Sequence, residues 1–252
     1  MTGISVAIIT KNEAANIERC IRSVKNIADE IVVVDSFSTD NTTEIAKSLG
    51  AKIIEQEFLG YKEQKNFARD KCSNTWVLSL DADEALSPEL EKSIKKANLN
   101  SFDAFEMNRL SEFCGKWIRH GSWYPDRKIR LFKNDSGYWG GRNPHDKYIL
   151  YPGKKLGFLK GDILHYTFQS FEQHEKQIEH FSSISAQALF EKGKKWYPGK
   201  PELRATMRFV RNYILKAGFL DGKMGLYIAK KSAGATYKKY VKLKRLIDEK
   251  HG

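Results

Sequence analysis

Four short apolar runs, separated by stretches of helical period, fill the first third of the chain, and few folds accept that pattern. The runs are ISVAII at 4–9, IVVV at 31–34, AKIIE at 51–55 and WVLSL at 76–80. Short continuous runs of this kind read as strands buried on both faces. After the first, Thr10-Lys11-Asn12-Glu13 fits a capping box, and Ile17, Cys20, Ile21 and Val24 recur at helical spacing. A polar turn at 36–42 leads into a helix carrying Ile45, Ala46 and Leu49, and residues 61–72 read as a third helix. Ser87-Pro88-Glu89 opens a fourth, with serine as N-cap and proline in the first turn. The order β-α-β-α-β-α-β argues for a parallel sheet covered by helices on both faces.

In open sheets of this kind ligands bind beyond the carboxyl ends of the strands. Thr10-Lys11-Asn12, Asp35 and Asp81-Ala82-Asp83 all fall there, so three polar clusters at strand ends form one candidate site. Farther on, 102–108, 128–132 and 163–168 read as strands. Residues 112–126 are rich in aromatics, Arg, His and Gly, and 135–146 read as a loop bearing Gly and Trp. From 171 the chain reads as helices over 171–192, 202–217 and 222–249, broken at 193–201 and 218–222.

A length of 252 residues suits one large domain or a domain with an appendage. The net charge of +12 favours polyanionic partners (nucleic acid, anionic lipid or phosphorylated substrates) without choosing among them. Cys20, Cys72 and Cys114 lie far apart with no CxxC pair, which argues against a zinc site and for reduced thiols in a cytosolic protein. No signal peptide is expected at the N-terminus, and no apolar stretch nears the roughly 20 residues that span a bilayer.

Two carboxylates one residue apart, Asp81 and Asp83, can offer oxygen ligands to a hard divalent cation, with substrate phosphates completing the shell. Such a cation neutralises diphosphate charge as a leaving group departs. A solvated acidic turn is the ordinary alternative, but the position after an apolar strand and before a capped helix favours metal binding. Asp35, before Ser36, Ser38, Thr39 and Asp40, can accept hydrogen bonds from a base or ribose or can cap the next helix, and the ligand role is favoured. Gln64-Lys65-Asn66 is either a polar helix face or a nucleotide contact.

The runs SVAIITKNEAANI, VVVDSFSTDNT and SLDADE resemble the nucleotide-diphospho-sugar-binding half of the GT-A fold, a Rossmann-like mixed α/β sheet flanked by helices. More closely they resemble the family 2 inverting glycosyltransferases. YKEQKNFARD, RKIRLF, HDKYIL, ILHYTF and GFLDGKMGL are similar to the bacterial lipopolysaccharide core glucosyltransferases within that family. The resemblance implies a GT-A catalytic domain over 1–168, with a nucleotide-sugar half at 1–100 and an acceptor half at 101–168. A basic helical region would follow at 169–252.

By the same resemblance Thr10, Asn12, Glu13 and Lys65 would line the donor pocket, and Asp35 would bind uracil or ribose. Asp81 would contact ribose or metal-bound water, and Asp83 would ligate Mg²⁺ or Mn²⁺, with His165 as a further ligand. Asp146, in Asn143-Pro144-His145-Asp146, would be the general base, where many members carry Glu. The implied reaction moves glucose or a related hexose from a UDP-sugar to a lipopolysaccharide-core or related glycan. A single displacement needs a base on the face opposite the leaving nucleotide and positive charge near the diphosphate. Lys62, Lys65, Arg127, Arg130 and Arg142 are candidates for that charge, though a surface position or a contact to acceptor phosphate suits each better.

Trp117, Trp123, Tyr124 and Trp139 form either an acceptor cleft or a small core. In the last helix Lys223, Lys230, Lys231, Lys238, Lys239, Lys242, Lys244, Arg245 and Lys250 face only Asp221, Asp248 and Glu249. Such a helix can lie on an anionic membrane surface, which a lipid-borne acceptor favours, and the expected place is the inner face of the cytoplasmic membrane. Three rivals stand against this reading. An aspartyl-phosphate phosphotransferase also uses DxD, but after its first strand. A basic nucleic-acid- or anionic-surface-binding protein would explain the charge, yet no helix-turn-helix, zinc finger or RNP signature occurs, and no nucleic-acid partner is expected. A glycosyltransferase-like chain without activity is opposed by the intact DxD and Asp146.

Overall fold

The structure, a computed structural model, describes residues 3–142 and 145–251. Two compact units divide the chain: residues up to Leu110 with Asp126–Tyr166, and Ser111–Pro125 with the chain from Thr167 onward. The sequence reading divides the chain at 168 instead, and assigns 111–125 to the acceptor half.

The first unit opens with the expected alternation: β1 (Ile4–Thr10), α1 (Ile17–Val24), β2 (Glu30–Asp35), α2 (Thr42–Ser48), β3 (Lys52–Glu55), α3 (Tyr61–Asp70) and β4 (Trp76–Asp81). There follow β5 (Glu84–Leu86), α4 (Pro88–Lys95), β6 (Ala104–Phe113), β7 (Lys116–Trp117, in the second unit), β8 (Arg127–Lys133), β9 (Gly137–Arg142), β10 (His145–Leu150) and β11 (Leu156–Phe168). The main sheet runs β3-β2-β1-β4-β8-β6-β11-β5. Its first four strands are parallel, and β8 joins β4 and β6 antiparallel, so the sheet is mixed.

Successive side chains on a strand point to opposite faces, and β1 sorts accordingly. Val6 and Ile8 pack with Ile17 and Ile21 of α1, Ala46 of α2 and Leu90 and Ile94 of α4. Ala7 and Ile9 pack on the other face with Ala68 of α3 and with Trp139 and Tyr148. Each fully buried Ile or Leu contributes roughly 1.5–3 kcal/mol, so the apolar runs stabilise both layers.

The second face differs from the expected all-helical cover, because α3 shares it with the hairpin β9–β10. Residues 135–146, read as a loop, supply β9 and the start of β10. Glycine composition hides the strand, yet the glycines serve it: a Cβ on Gly137 would stand 2.2 Å from the Ile149 carbonyl oxygen. Phe132 of β8 stacks on Tyr148 at 3.7 Å between ring centroids, anchoring the hairpin to the sheet.

The expected capping box at Thr10–Glu13 does not form. Thr10 ends β1, and α1 begins seven residues later at Ile17, behind Asn16. The next loop claims these polar groups instead. Ser38 Oγ accepts from Asn12 N at 2.8 Å, Asn12 Oδ1 accepts from Thr39 N at 2.8 Å, and Thr42 Oγ1 accepts from Glu13 N at 2.8 Å. Asn12 takes the left-handed conformation (φ 55°), which asparagine tolerates better than most residues.

The second unit holds α5 (Phe171–Glu191) and α6 (Lys200–Val210), which runs on into a π turn (Arg211–Leu215). A 3₁₀ turn (Gly218–Asp221) and α7 (Gly222–His251) complete it. Phe113, Trp123, Phe168, His174 and Tyr227 form its aromatic core. Asp221 joins 111–125 to the helices, accepting from His120 N at 2.9 Å and from Arg119 N at 3.2 Å. The basic last helix is less isolated than its own sequence suggests. Lys231 pairs with Glu175, and Lys238 and Lys242 pair with Glu179, both acids lying on α5.

Candidate active site

Parallel register brings the polar ends of β1, β2 and β4 together: Thr10 lies opposite Asp35, and Ile9 opposite Asp81. Strand interiors that are apolar apart from the buried Ser5 and Ser79 concentrate the polar residues at this edge. Thr10 Oγ1 is buried there without a hydrogen-bond partner among the described residues. Asp35 is buried, and its two oxygens accept from Ser38 N at 2.7 Å and Ser38 Oγ at 2.5 Å. Each oxygen keeps a further lone pair for another donor.

Asp81 and Asp83 turn to different partners. Asp81 Oδ1 lies 3.1 Å from Lys65 Nζ, and Arg130 Nη2 donates to Asp81 Oδ2 at 3.1 Å. Lys65 also donates to Asp146 Oδ2 at 2.9 Å, so one ammonium on α3 links the end of β4 to the hairpin strand β10. The sequence alone suits both cations better to the surface. They are buried instead, Lys65 at 4% and Arg130 at 2% exposure, because each has carboxylates to neutralise it. Burial works against the charge of Asp81, but Lys65 and then Arg130 outweigh it and hold its carboxyl well below the usual carboxylate range.

Glu84, to which the sequence assigns no role, completes this network. Its fully buried side chain accepts from Arg130 Nη2 at 2.9 Å and from the Asp81 backbone N at 3.0 Å. Arg109 Nη1 approaches it at 3.4 Å, while Arg109 Nη2 pairs with Asp126 at 2.9 Å. An acid within EAL and an arginine within RKIRLF, both in apolar runs, were the available signal, since buried charges of opposite sign must find each other.

Gln64, Lys65 and Asn66, in the middle of α3, divide their work. Gln64 Nε2 donates to Ser36 Oγ at 3.0 Å, and Lys65 bridges the two aspartates. Asn66 exchanges two hydrogen bonds with the Trp139 backbone, at 2.8 and 3.0 Å. Lys65 and Arg130 lie over the Trp139 ring at 4.8 and 5.4 Å. Tyr61, Lys65, Asp81, Arg130, Trp139 and Asp146 line a cavity of about 620 Å³. Trp139 thus serves both readings, core and cleft, whereas Trp123 belongs to the aromatic core of the second unit. Asn143 and Pro144, beside Asp146, lie outside the described residues.

Asp83 faces His165, with Oδ2 and Nε2 3.1 Å apart across the β5–β11 edge, and the Asp83 carbonyl accepts from Tyr166 N at 3.0 Å. Glu13 stands near both; burial raises its pKa, the Asn16 hydrogen bond opposes this, and Asp83 and Asp40 add to the rise. Among the described residues no group of three or more His, Cys, Asp and Glu is set to hold a metal. A carboxylate oxygen beside an imidazole nitrogen nevertheless fits a cation of the Mg²⁺ or Mn²⁺ kind, which keeps one or two protein ligands and takes the rest from phosphate and water. Asp81, engaged by two cations, is the less available of the two DxD carboxylates.

This mixed sheet, with polar residues gathered at the carboxyl ends of its parallel strands, is the GT-A arrangement of nucleotide-sugar transferases. Residues 5–174, more than half of the chain, match the model for glycosyl transferase family 2, and the chain belongs to that family. It is therefore a glycosyltransferase, and a binding protein without catalysis is the wrong class. A glycosyltransferase of Rickettsia typhi, named as uncharacterised, is 35% identical over 98% of this chain and 88% of its own. The lipopolysaccharide core biosynthesis glycosyltransferase LpsC of Rhizobium meliloti is 25% identical over 94% of this chain and 93% of its own. The crystal structure of Mycobacterium tuberculosis glucosyl-3-phosphoglycerate synthase with Mn²⁺ and UDP-glucose is 23% identical over 44% of each chain, with a TM-score of 0.36.

Proposed function

We propose that this glycosyltransferase moves a hexose, glucose or a close relative, from a UDP-sugar to a lipopolysaccharide-core or related bacterial glycan, with inversion at the anomeric carbon. The observation that carries the reading is the single ammonium of Lys65 between Asp81 and Asp146. It joins the strand-end edge, where nucleotides bind in such sheets, to a carboxylate on the opposite wall of the same cavity. The likeness to LpsC supports the acceptor class.

In this reading Thr10, Asn12, Glu13 and Asp35 form the nucleotide side. The partnerless Thr10 hydroxyl supports that assignment, since a buried donor is costly unless a ligand completes it. Asp83 and His165 would hold Mg²⁺ or Mn²⁺, which when bound offsets the charge of the departing diphosphate. Asp146 removes the proton from the acceptor hydroxyl, and Lys65 orients it through Oδ2. Lys65 and Arg130, fixed before substrate arrives, supply positive charge where negative charge develops. Trp139 closes the cavity and backs the two cations that lie over its ring.

A lipid-borne acceptor would bring the enzyme to the inner face of the cytoplasmic membrane. Among the described residues no helix is long and apolar enough to cross a membrane, so contact would be peripheral. The reading is tested by incubating the full chain with UDP-hexose, Mn²⁺ and deacylated lipopolysaccharide core, and determining the new linkage by NMR. A β-linked product from an α-linked donor is expected. An α-linked product would overturn the single-displacement mechanism and the role of Asp146.

A further inference from the structure

In the second unit, α6 packs against α7 and leaves its other face uncovered. Leu203, Met207, Val210 and Ile214 fall on that face at helical spacing, and all are exposed. The stripe continues through Leu215, 76% exposed, and Leu220, 61% exposed. A contiguous exposed apolar face of this kind marks an interaction surface.

Met207, Val210 and Leu215 of the stripe also form one edge of a groove of about 750 Å³, whose lining adds Arg204, Arg208, Arg211, Lys216 and Lys239, and no acid. Among the described residues none of these five cations pairs with a carboxylate, and residues 203–220 contain no Asp or Glu. Burial, Arg208 and Arg204 together push the Lys239 ammonium below its usual range. Cations gathered without counter-charge leave a site for an anion.

We propose that α6 and the two turns after it seat this protein on an anionic lipid bilayer, with lipid phosphates in the arginine-lined groove and the apolar stripe in the headgroup–acyl boundary. This deepens the membrane part of the proposed function without depending on its donor chemistry. Charge and apolarity side by side select the occupant: a nucleic-acid backbone would satisfy the arginines but leave Ile214, Leu215 and Leu220 in water. It also moves the membrane contact from α7, where Lys231, Lys238 and Lys242 are occupied by Glu175 and Glu179, to α6.

Flotation of the full chain with phosphatidylcholine vesicles, and with equimolar phosphatidylcholine and phosphatidylglycerol, tests this. UDP binding to each variant is followed by calorimetry, as a check on folding and on the donor site. The chain should float with the anionic vesicles alone. The triple variant Arg204→Gln, Arg208→Gln, Arg211→Gln and the double variant Leu215→Ser, Leu220→Ser should each lose at least about tenfold in partitioning. Both should melt as the parent does. Lys223→Gln with Lys230→Gln, on exposed α7, should leave partitioning within about twofold. The proposal is overturned if the α6 variants float like the parent, or if the parent ignores vesicles and binds an oligonucleotide through the same arginines. Loss of UDP binding with vesicle binding intact would count against the donor site alone.

Discussion

Lys65 Nζ stands 2.9 Å from Asp146 Oδ2, joining α3 to a hairpin strand 81 residues farther along the chain. The same ammonium lies 3.1 Å from Asp81, so its loss would leave Asp81 to Arg130 and take from the largely buried Asp146 side chain its 2.9 Å partner.

Replacing Lys65 by Met keeps much of the bulk and removes the charge. Breaking a buried pair from one side typically costs about 3–5 kcal/mol, so Lys65→Met should lower unfolding stability by that order in urea titrations. Sugar transfer should fall by at least about 100-fold, as expected when a positioned charge is removed. A variant as stable and as active as the parent would show that the bridge matters to neither fold nor chemistry.

Asp146→Asn retains shape and loses the proton acceptor. Acceptor-dependent transfer should drop by about 10²–10⁴-fold, while UDP binding measured by calorimetry stays within about twofold. Wild-type transfer rates in this variant would move the base elsewhere.

His165→Ala removes the imidazole 3.1 Å from Asp83. The Mn²⁺ concentration for half-maximal activity should rise on the order of 10–100-fold, with activity partly recovered at high metal. An unchanged metal titration would exclude His165 as a ligand or as an orienter of Asp83.

Glu179, hydrogen-bonded by Lys238 and Lys242, has its pKa brought down from 4.5 to about 2. A depressed folded-state pKa stabilises above the unfolded value, and the contribution is lost as pH falls through the folded one. Glu179→Gln should therefore lower Tm at pH 7, with the difference shrinking below about pH 4.5 and vanishing near pH 2. The effect should be small, since Glu179 is exposed and salt screens it. A Tm difference that grows on acidification would contradict the pairing.

The strand-end edge was legible because one local signal, an apolar run followed by a polar residue, both makes a buried strand and ends it. Thr10, Asp35 and Asp81 carry that signal in their own neighbourhoods, and parallel pairing then aligns them. Arg130 and Glu84 do not. In a sequence a charge looks solvated, and only the sheet, which sets β8 beside β4, reveals that these two bury each other. The β9–β10 hairpin was hidden for a related reason. Gly137, Gly140 and Gly141 erase the period of a strand, and the need for the first two appears only when Ile149 approaches, that for Gly141 only in its positive φ of 94°. Likewise the lysines of α7 gain their acidic partners from α5, about 60 residues away, beyond the reach of helical periodicity.

The central claim is a metal-assisted UDP-sugar site at the end of β4. It is tested most directly by UDP release from the full chain given a panel of UDP-hexoses with Mn²⁺ or Mg²⁺, alongside Asp83→Ala. Release from one donor, dependent on metal and reduced by at least about 100-fold in the variant, is the expected result. No release from any donor, together with no UDP binding in the presence of metal, would contradict it.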